Sequence, residues 1–337
     1  MKAFEIQGSF GLDRLQRVDT REPEPGPGDV LVRVRACSLN YRDLMMVRGE
    51  YNPRQPLPLI PLSDGAGEVV AVGAGVTRVR PNDRVAAIFA QRWLAGPFSA
   101  EARASTLGGP LPGMLRSHAV LPESGVVTVP EHLDFEEAAT LPCAALTAWH
   151  ALAEGTAVRP GEWVLLLGSG GVSIFALQLA KLFSARVAVV TGSADKISRL
   201  RQLGADAVID RREQPDWERA VQRLTGGGAD RVIEVGGADT LARSLQAARI
   251  EGRVMVIGVL GGVDARLPVT SILMKNLRVQ GVFVGSREMF DNLNRAVSAS
   301  GLHPVIDRVF DFEQSREAFD VLASGKHFGK LVIRIPD

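Results

Sequence analysis

The apolar run at 163–167 ends in Gly168, Ser169, Gly170 and Gly171, after which Val172 and Ser173 lead into a helical stretch beginning Ile174, Phe175, Ala176 and Leu177. A strand feeding a glycine turn that opens a helix has the form of a nucleotide cradle. Glycines there take backbone angles that other residues avoid, and they let a pyrophosphate approach the main chain at the positive end of the helix. A glycine triplet alone is weak evidence, and an α/β domain that binds no nucleotide is the competing reading. The downstream register weighs against it.

Beyond the cradle, Val, Ile and Leu runs at 186–191, 207–211, 231–236, 252–259 and 277–284 alternate with helical patterns near 194–203, 216–225, 238–248 and 270–276. Nearly continuous apolar strands are those of a sheet covered on both faces. Six of them with crossover helices predict an α/β fold, a doubly wound parallel sheet of the Rossmann kind.

A chain of 337 residues has room for a second domain. Short β-rich runs at 30–36, 67–72, 84–89 and 117–121, punctuated by Pro and Gly as at 22–28, predict a barrel-like β domain. The stretch 301–337 carries a strand at 305–310, a helix at 312–322 and a strand at 330–335, too little for a domain of its own. The expected division is 1–140 with 288–337 as the β-rich substrate domain and 141–287 as the dinucleotide-binding domain.

The balance of 39 basic against 38 acidic residues leaves a formal charge of +1, which argues against nucleic acid as a partner. No apolar run reaches the roughly 18 to 20 residues of a membrane span, and no secretion signal is evident, so a cytoplasmic protein with no membrane partner is the expectation. Cys37 and Cys143 form neither a disulfide framework nor a redox pair. His118, His150 and His303 lie on separate segments and do not suggest a ligand cluster. Arg42 and Asp43, read as neighbours in an extended segment, favour a structural ion pair over an acid and base.

The order of β-rich domain, glycine cradle and the ending from Gly325 through Gly329, Lys330 and Leu331 resembles the medium-chain dehydrogenase/reductase superfamily over essentially the whole chain. Within it, the segments around Asn40, Tyr41, Arg42 and Asp43, around Asp64 to Val69 and around Pro142 to Trp149 are similar to the zinc-independent quinone oxidoreductase and enoyl reductase branches. The resemblance implies a GroES-like fold for the β-rich domain. Zinc-holding members use a Cys, a His and a second Cys; the matching positions here are Asn40, Ser63 and Cys143, with Asp64 at an adjoining glutamate position. One thiol is too few for catalytic zinc, which takes three protein ligands and a water. The stretch 90–117, where a structural zinc lobe would lie, contains no Cys. No metal site is therefore expected.

The same resemblance implies hydride transfer to a quinone or an α,β-unsaturated carbonyl as the small-molecule substrate. Asn40, Tyr41, Ser63 and Thr147 would be the catalytic or substrate-lining residues, with Tyr41 the donor that faces the substrate, or else an aromatic packed beneath the cleft with its hydroxyl satisfied. Cys143 would stand by the nicotinamide. Gly168, Ser169, Gly170, Gly171 and Val172 would hold the pyrophosphate, and Gly236, Ile257, Val259, Phe283, Gly285 and Lys330 would make the remaining cofactor contacts. An NAD-preferring sheet usually places a carboxylate at the end of its second strand. Here Val190, Thr191, Gly192 and Ser193 occupy it, so Ser193, Lys196 and Arg211 are candidates for a 2′-phosphate and NADP(H) is the expected cofactor, although Asp195 nearby would favour NAD. An enoyl-thioester reductase, a metal-independent alcohol dehydrogenase and a non-catalytic NADPH-binding sensor or structural dimer remain as alternatives. The strand 277–284, at a sheet edge, is expected to pair with its twin in a homodimer.

Overall fold

A computed structural model describes residues 1–336. It contains two compact units, one formed by Met1–Leu146 with Val284–Asp337 and the other by Thr147–Phe283.

The first unit opens with a two-stranded ribbon, β1 (Lys2–Ile6) against β2 (Leu15–Asp19), followed by β3 (Asp29–Ser38), β4 (Asp64–Val72), β5 (Arg84–Ala87), β6 (His118–Pro122) and β7 (Val126–Thr128). The second unit supplies β8 (Trp163–Leu167), β9 (Arg186–Thr191), β10 (Ala207–Asp210), β11 (Ala229–Glu234), β12 (Ala248–Val256) and β13 (Arg278–Gly281). The chain then returns to the first unit for β14 (Ile306–Asp311) and β15 (Lys330–Arg334).

In the second unit the six strands are parallel in the order β10-β9-β8-β11-β12-β13. This is the doubly wound Rossmann arrangement, with its reversal of strand order between β8 and β11. Val164, Leu165 and Leu166 on β8 are wholly buried, as are Val187 and Val189 on β9. Each such side chain contributes about 1.5–3 kcal/mol by leaving water. That is why these strands read as unbroken apolar runs.

In the first unit the sheet runs β14-β15-β3-β4-β5-β7, with β6 also on β3. It is the GroES-like β domain. Strand β15 lies between β14, to which it is parallel, and β3, to which it is antiparallel. The tail of the chain thus completes the sheet that its first third begins. One core, which includes Ile6, Leu15, Val34, Leu44, Met114, Phe319 and Ile333, joins residues from both ends.

Three departures from expectation have local causes. Arg42 and Asp43, expected in an extended segment, lie in a helix over Tyr41–Val47, opened by Asp43 Oδ2 accepting the Asn40 N–H at 2.9 Å. The sixth strand is Arg278–Gly281, shorter than 277–284. Val282 still donates to Val256 O at 2.9 Å, but Val284 has φ +35°, and a branched residue in that region marks a bend. The helix Arg287–Ser300, capped by the Ser286 hydroxyl on Met289 N–H at 3.2 Å, was not foreseen.

Candidate functional site

Strand β3 ends at Ser38, and Leu39 and Asn40 follow before the helix; β4 begins at Asp64, directly after Ser63. Register pairs Ser38 with Asp64, and β15 pairs Val332 with Ser38. Residues far apart in sequence thereby meet at one end of the sheet. Ser38 Oγ donates to Asp64 Oδ2 at 2.8 Å, and the Asn40 carboxamide nitrogen donates to the same oxygen at 2.8 Å and to Ser63 Oγ at 3.3 Å. Asp43 Oδ1 accepts the Ser63 N–H at 3.1 Å, so one carboxylate holds the main chain on both sides of the group. Lys330, 3% exposed, donates to Leu39 O and to Asn40 Oδ1, both at 2.6 Å, and its Nζ lies 3.7 Å from Asp64 Oδ2.

The charges here are buried. Burial pushes the Asp64 carboxyl up to about 6, against the pull of Lys330. Burial also raises Asp43, opposed first by Arg42. Cys143, on the π-helical turn Leu141–Ala145, has its thiol pushed far up by burial and then by the charge of Asp64, so it stays protonated. Arg42 and Asp43 do approach, Nη1 to Oδ1 at 3.6 Å. Arg42 otherwise donates to Leu107 O at 2.6 Å and to Gly109 O, and lies over the Tyr51 and Phe89 rings. Its role is to tie loops together. Tyr41 is half-buried, and its ring packs against the unit's core. Gly285 touches Leu146, which a β-carbon at 285 would strike at 2.8 Å.

In the second unit Gly168 follows β8 with φ +72°, and its N–H donates to Val190 O at 2.7 Å. Apart from the adjoining residues of the chain, nothing described lies within 4 Å of where a β-carbon would stand on Gly168 or Gly170. The main chain there is open to a ligand. Gly170 caps the helix Gly171–Leu182, and Ser173 Oγ on Leu167 O at 2.7 Å ties the first turn of the helix to the strand. Ser169 is buried, while Gly171 and Val172 are half-buried at the helix start.

At the ends of β9 and β10, the Ser193 N–H meets Thr191 Oγ1 at 3.1 Å and the Arg211 N–H meets Thr191 O at 2.9 Å. The Arg211 guanidinium lies against Gly192, with Nε 2.7 Å from the position of a β-carbon there. Arg212, not Arg211, takes Asp210, at 2.8 Å. Lys196 is buried within the turn Ala194–Lys196. After β11, Glu234 organises the next turn: Oε1 accepts Gly236 N at 2.7 Å, Gly237 N at 2.9 Å and the Thr240 hydroxyl at 2.6 Å, and Oε2 accepts Ser244. Ile257 donates to Glu234 O at 2.8 Å, which joins the ends of β11 and β12 beside Val259. Phe283 closes this unit, and Thr147 is buried at the start of its first helix.

Sequence reasoning missed Glu234, Ser38 and the setting of Lys330. A Glu at the end of an apolar run and followed by Val-Gly-Gly was a usable signal for the first, and the structure buries it. Ser38 depends on the register of β3 with β4, across 26 residues, and Lys330 on that of β15 with β3, across 290.

Residues 171–299 match the zinc-binding dehydrogenase family and residues 26–131 the alcohol dehydrogenase GroES-like domain. A zinc-type alcohol dehydrogenase-like protein of Schizosaccharomyces pombe is 40% identical over 333 residues, 96% of each chain. Among solved structures, an NAD-dependent alcohol dehydrogenase aligns with a TM-score of 0.91 at 34% identity, covering 100% of both chains. A 2-octenoyl-CoA carboxylase reductase, in complex with NADP and 2-octenoyl-CoA, aligns at 0.89 and 25% identity, covering 99% of this chain and 87% of that one. The chain belongs to the medium-chain dehydrogenase/reductase superfamily and is an oxidoreductase of that kind.

Proposed function

We propose that the protein is an NADPH-dependent reductase of quinones or α,β-unsaturated carbonyls that works without a metal. The observation carrying this reading is the group at the position where zinc-holding relatives place their ion. A carboxamide nitrogen, a donor, faces Ser63 and Asp64 there, and a lysine ammonium is seated on the carboxamide's oxygen. A divalent cation would meet an N–H and an ammonium in place of lone pairs, with Cys143 the one thiol at the three positions. This donor set does not fit zinc, whatever the names of relatives suggest. Among the described residues, no group of three or more His, Cys, Asp or Glu side chains is placed to hold a metal ion.

The second unit's open glycine turn is assigned to the pyrophosphate, with Ser193, Arg211 and the buried Lys196 assigned to a 2′-phosphate and Gly236, Ile257, Val259 and Phe283 to the rest of the dinucleotide. NADPH held by these residues would supply a hydride to the β-carbon of an enone, leaving negative charge on the enone oxygen until the α-carbon gained a proton from water. What the protein must supply is a hydrogen bond to that oxygen as charge builds on it. Asn40 is the donor assigned here, with Tyr41, Cys143, Thr147 and Gly285 lining the substrate and nicotinamide. The Tyr41 hydroxyl is assigned as a second donor to the substrate, so Tyr41→Phe should lower kcat about 10-fold with NADPH affinity unchanged; an unaltered rate removes the tyrosine from the mechanism. A homodimer through β13 is part of the reading.

The likeness to a structure holding 2-octenoyl-CoA favours an enoyl thioester as the second reading. NADPH oxidation measured against a quinone, a free enone and an enoyl-CoA, with zinc assayed on the purified protein, separates the two. Stoichiometric zinc, or turnover only of an alcohol with NAD, defeats the proposal.

A further inference from the structure

We infer that Lys330 is a positioning residue: its ammonium fixes which way the Asn40 carboxamide faces, so that one Asn40 N–H is always presented as the replaceable donor for a substrate oxygen. The inference rests on the reading above, in which Asn40 donates to that oxygen.

An ammonium has three hydrogens and no lone pair, so the Asn40 atom 2.6 Å from Lys330 Nζ has to be the oxygen. At the other end, the carboxamide nitrogen makes a short bond to Asp64 Oδ2 at 2.8 Å and a long one to Ser63 Oγ at 3.3 Å. The amide is clamped by a cation on its oxygen and an acid on its nitrogen. A flipped amide would set an N–H against the ammonium and an oxygen against Asp64. Of its two hydrogens, the one on the long bond is the more weakly held and the easier for a substrate oxygen to take over from Ser63. Asn40 is half-buried whereas Ser63, Asp64 and Lys330 are buried, which makes Asn40 the member of the group that a ligand can reach. The positive charge on Oδ1 also draws electrons from the amide and strengthens its N–H as a donor. Lys330 is itself fixed by its bond to Leu39 O at 2.6 Å, one residue before Asn40.

The test is a double-mutant cycle with Lys330→Met and Asn40→Leu, read as kcat for enone reduction, enone KM and NADPH Kd. Lys330→Met should lower kcat about 10- to 100-fold and leave NADPH Kd within about twofold, and the double variant should be no slower than Asn40→Leu alone. Losses that multiply, or a Kd for NADPH raised tenfold with kcat intact, overturn the inference; the second result would make Lys330 a cofactor contact. If Lys330→Met does not fold, Lys330→Gln takes its place; keeping a neutral donor but not the charge, it should lower kcat less, about 3- to 10-fold, with NADPH Kd still within about twofold and no further loss on top of Asn40→Leu, and losses that multiply overturn the inference. A readout independent of turnover is the side-chain amide resonance pair of Asn40 by NMR. Its two protons should be distinct and slow to exchange in the wild type and shifted in the Lys330 variant, and unchanged resonances overturn the inference. Should the wild type bind NADPH yet reduce none of the acceptors, the functional reading fails while the resonances still decide the role of Lys330.

Discussion

Asp64 illustrates how one buried carboxyl couples structure to pH. Its proton is held more tightly in the folded protein, up to about 6, than in the unfolded chain, so the native state carries more protons over roughly pH 4 to 6. The contribution of Asp64 to stability is therefore full below about pH 4 and is lost as pH rises through about 6, an effect on the order of 3 kcal/mol. Urea unfolding of wild type and Asp64→Asn across pH 4 to 7 should show the difference between them changing in that interval and flat above it. A constant difference removes the account. In the second unit, Arg211 lies over Gly192 with its guanidinium unclaimed by Asp210, which binds Arg212. A charge-assisted bond is worth about 1.5–3 kcal/mol, so Arg211→Ala should weaken NADPH roughly 10- to 100-fold and leave NADH untouched. Equal losses with both cofactors would take the 2′-phosphate away from this residue.

Among elements, the strand-turn-helix at β8 was legible because it is local. Apolar continuity marks the strand, the glycines mark the turn, and both signals lie within about a dozen residues. Gly168 at φ +72° has room for a methyl group but not the backbone freedom, at a cost of about 1–2 kcal/mol for a residue with a side chain. Gly168→Ala should lower Tm by only a few degrees while titration calorimetry shows NADPH binding weakened tenfold or more, since the methyl enters the space assigned to phosphate. Other elements were hidden for definable reasons. The helix Tyr41–Val47 has only seven residues, too few for a period to show, and its start is set by Asp43 reaching back to Asn40. Strand β13 read as eight residues because Val282 and Val284 are apolar; they are buried, but outside the sheet. The candidate site was half legible: its residue types at 40, 63 and 143 could be aligned with relatives, whereas the seat of Lys330 follows from β15 lying against β3, a pairing that no local pattern encodes.

At the scale of the whole molecule, β13 is an exposed edge, and the stretch leading into it carries Val263 and Val269 at 72% exposure, Leu273 at 74% and Met274 at 77%. So much apolar surface beside an open edge favours a second copy over solvent. Light scattering at micromolar concentration should give twice the mass of the chain, and Val279→Pro, which removes an edge N–H, should give monomers. A monomeric wild type ends the dimer reading. Among the described residues, no helix is long and apolar enough to cross a membrane.

Because β15 is wedged between β14 and β3, the ribosome finishes the first sheet last. While residues 147–283 emerge as one uninterrupted stretch and can collapse on their own, the edge of β3 at Ala36, Cys37 and Ser38 waits unpaired, and Asp43 and Asp64 lack the ammonium destined for them. The first sheet is thus complete only when the last strand arrives: Val332, Ile333 and Arg334 close the ladder on β3, and Lys330 brings the ammonium to Asp64.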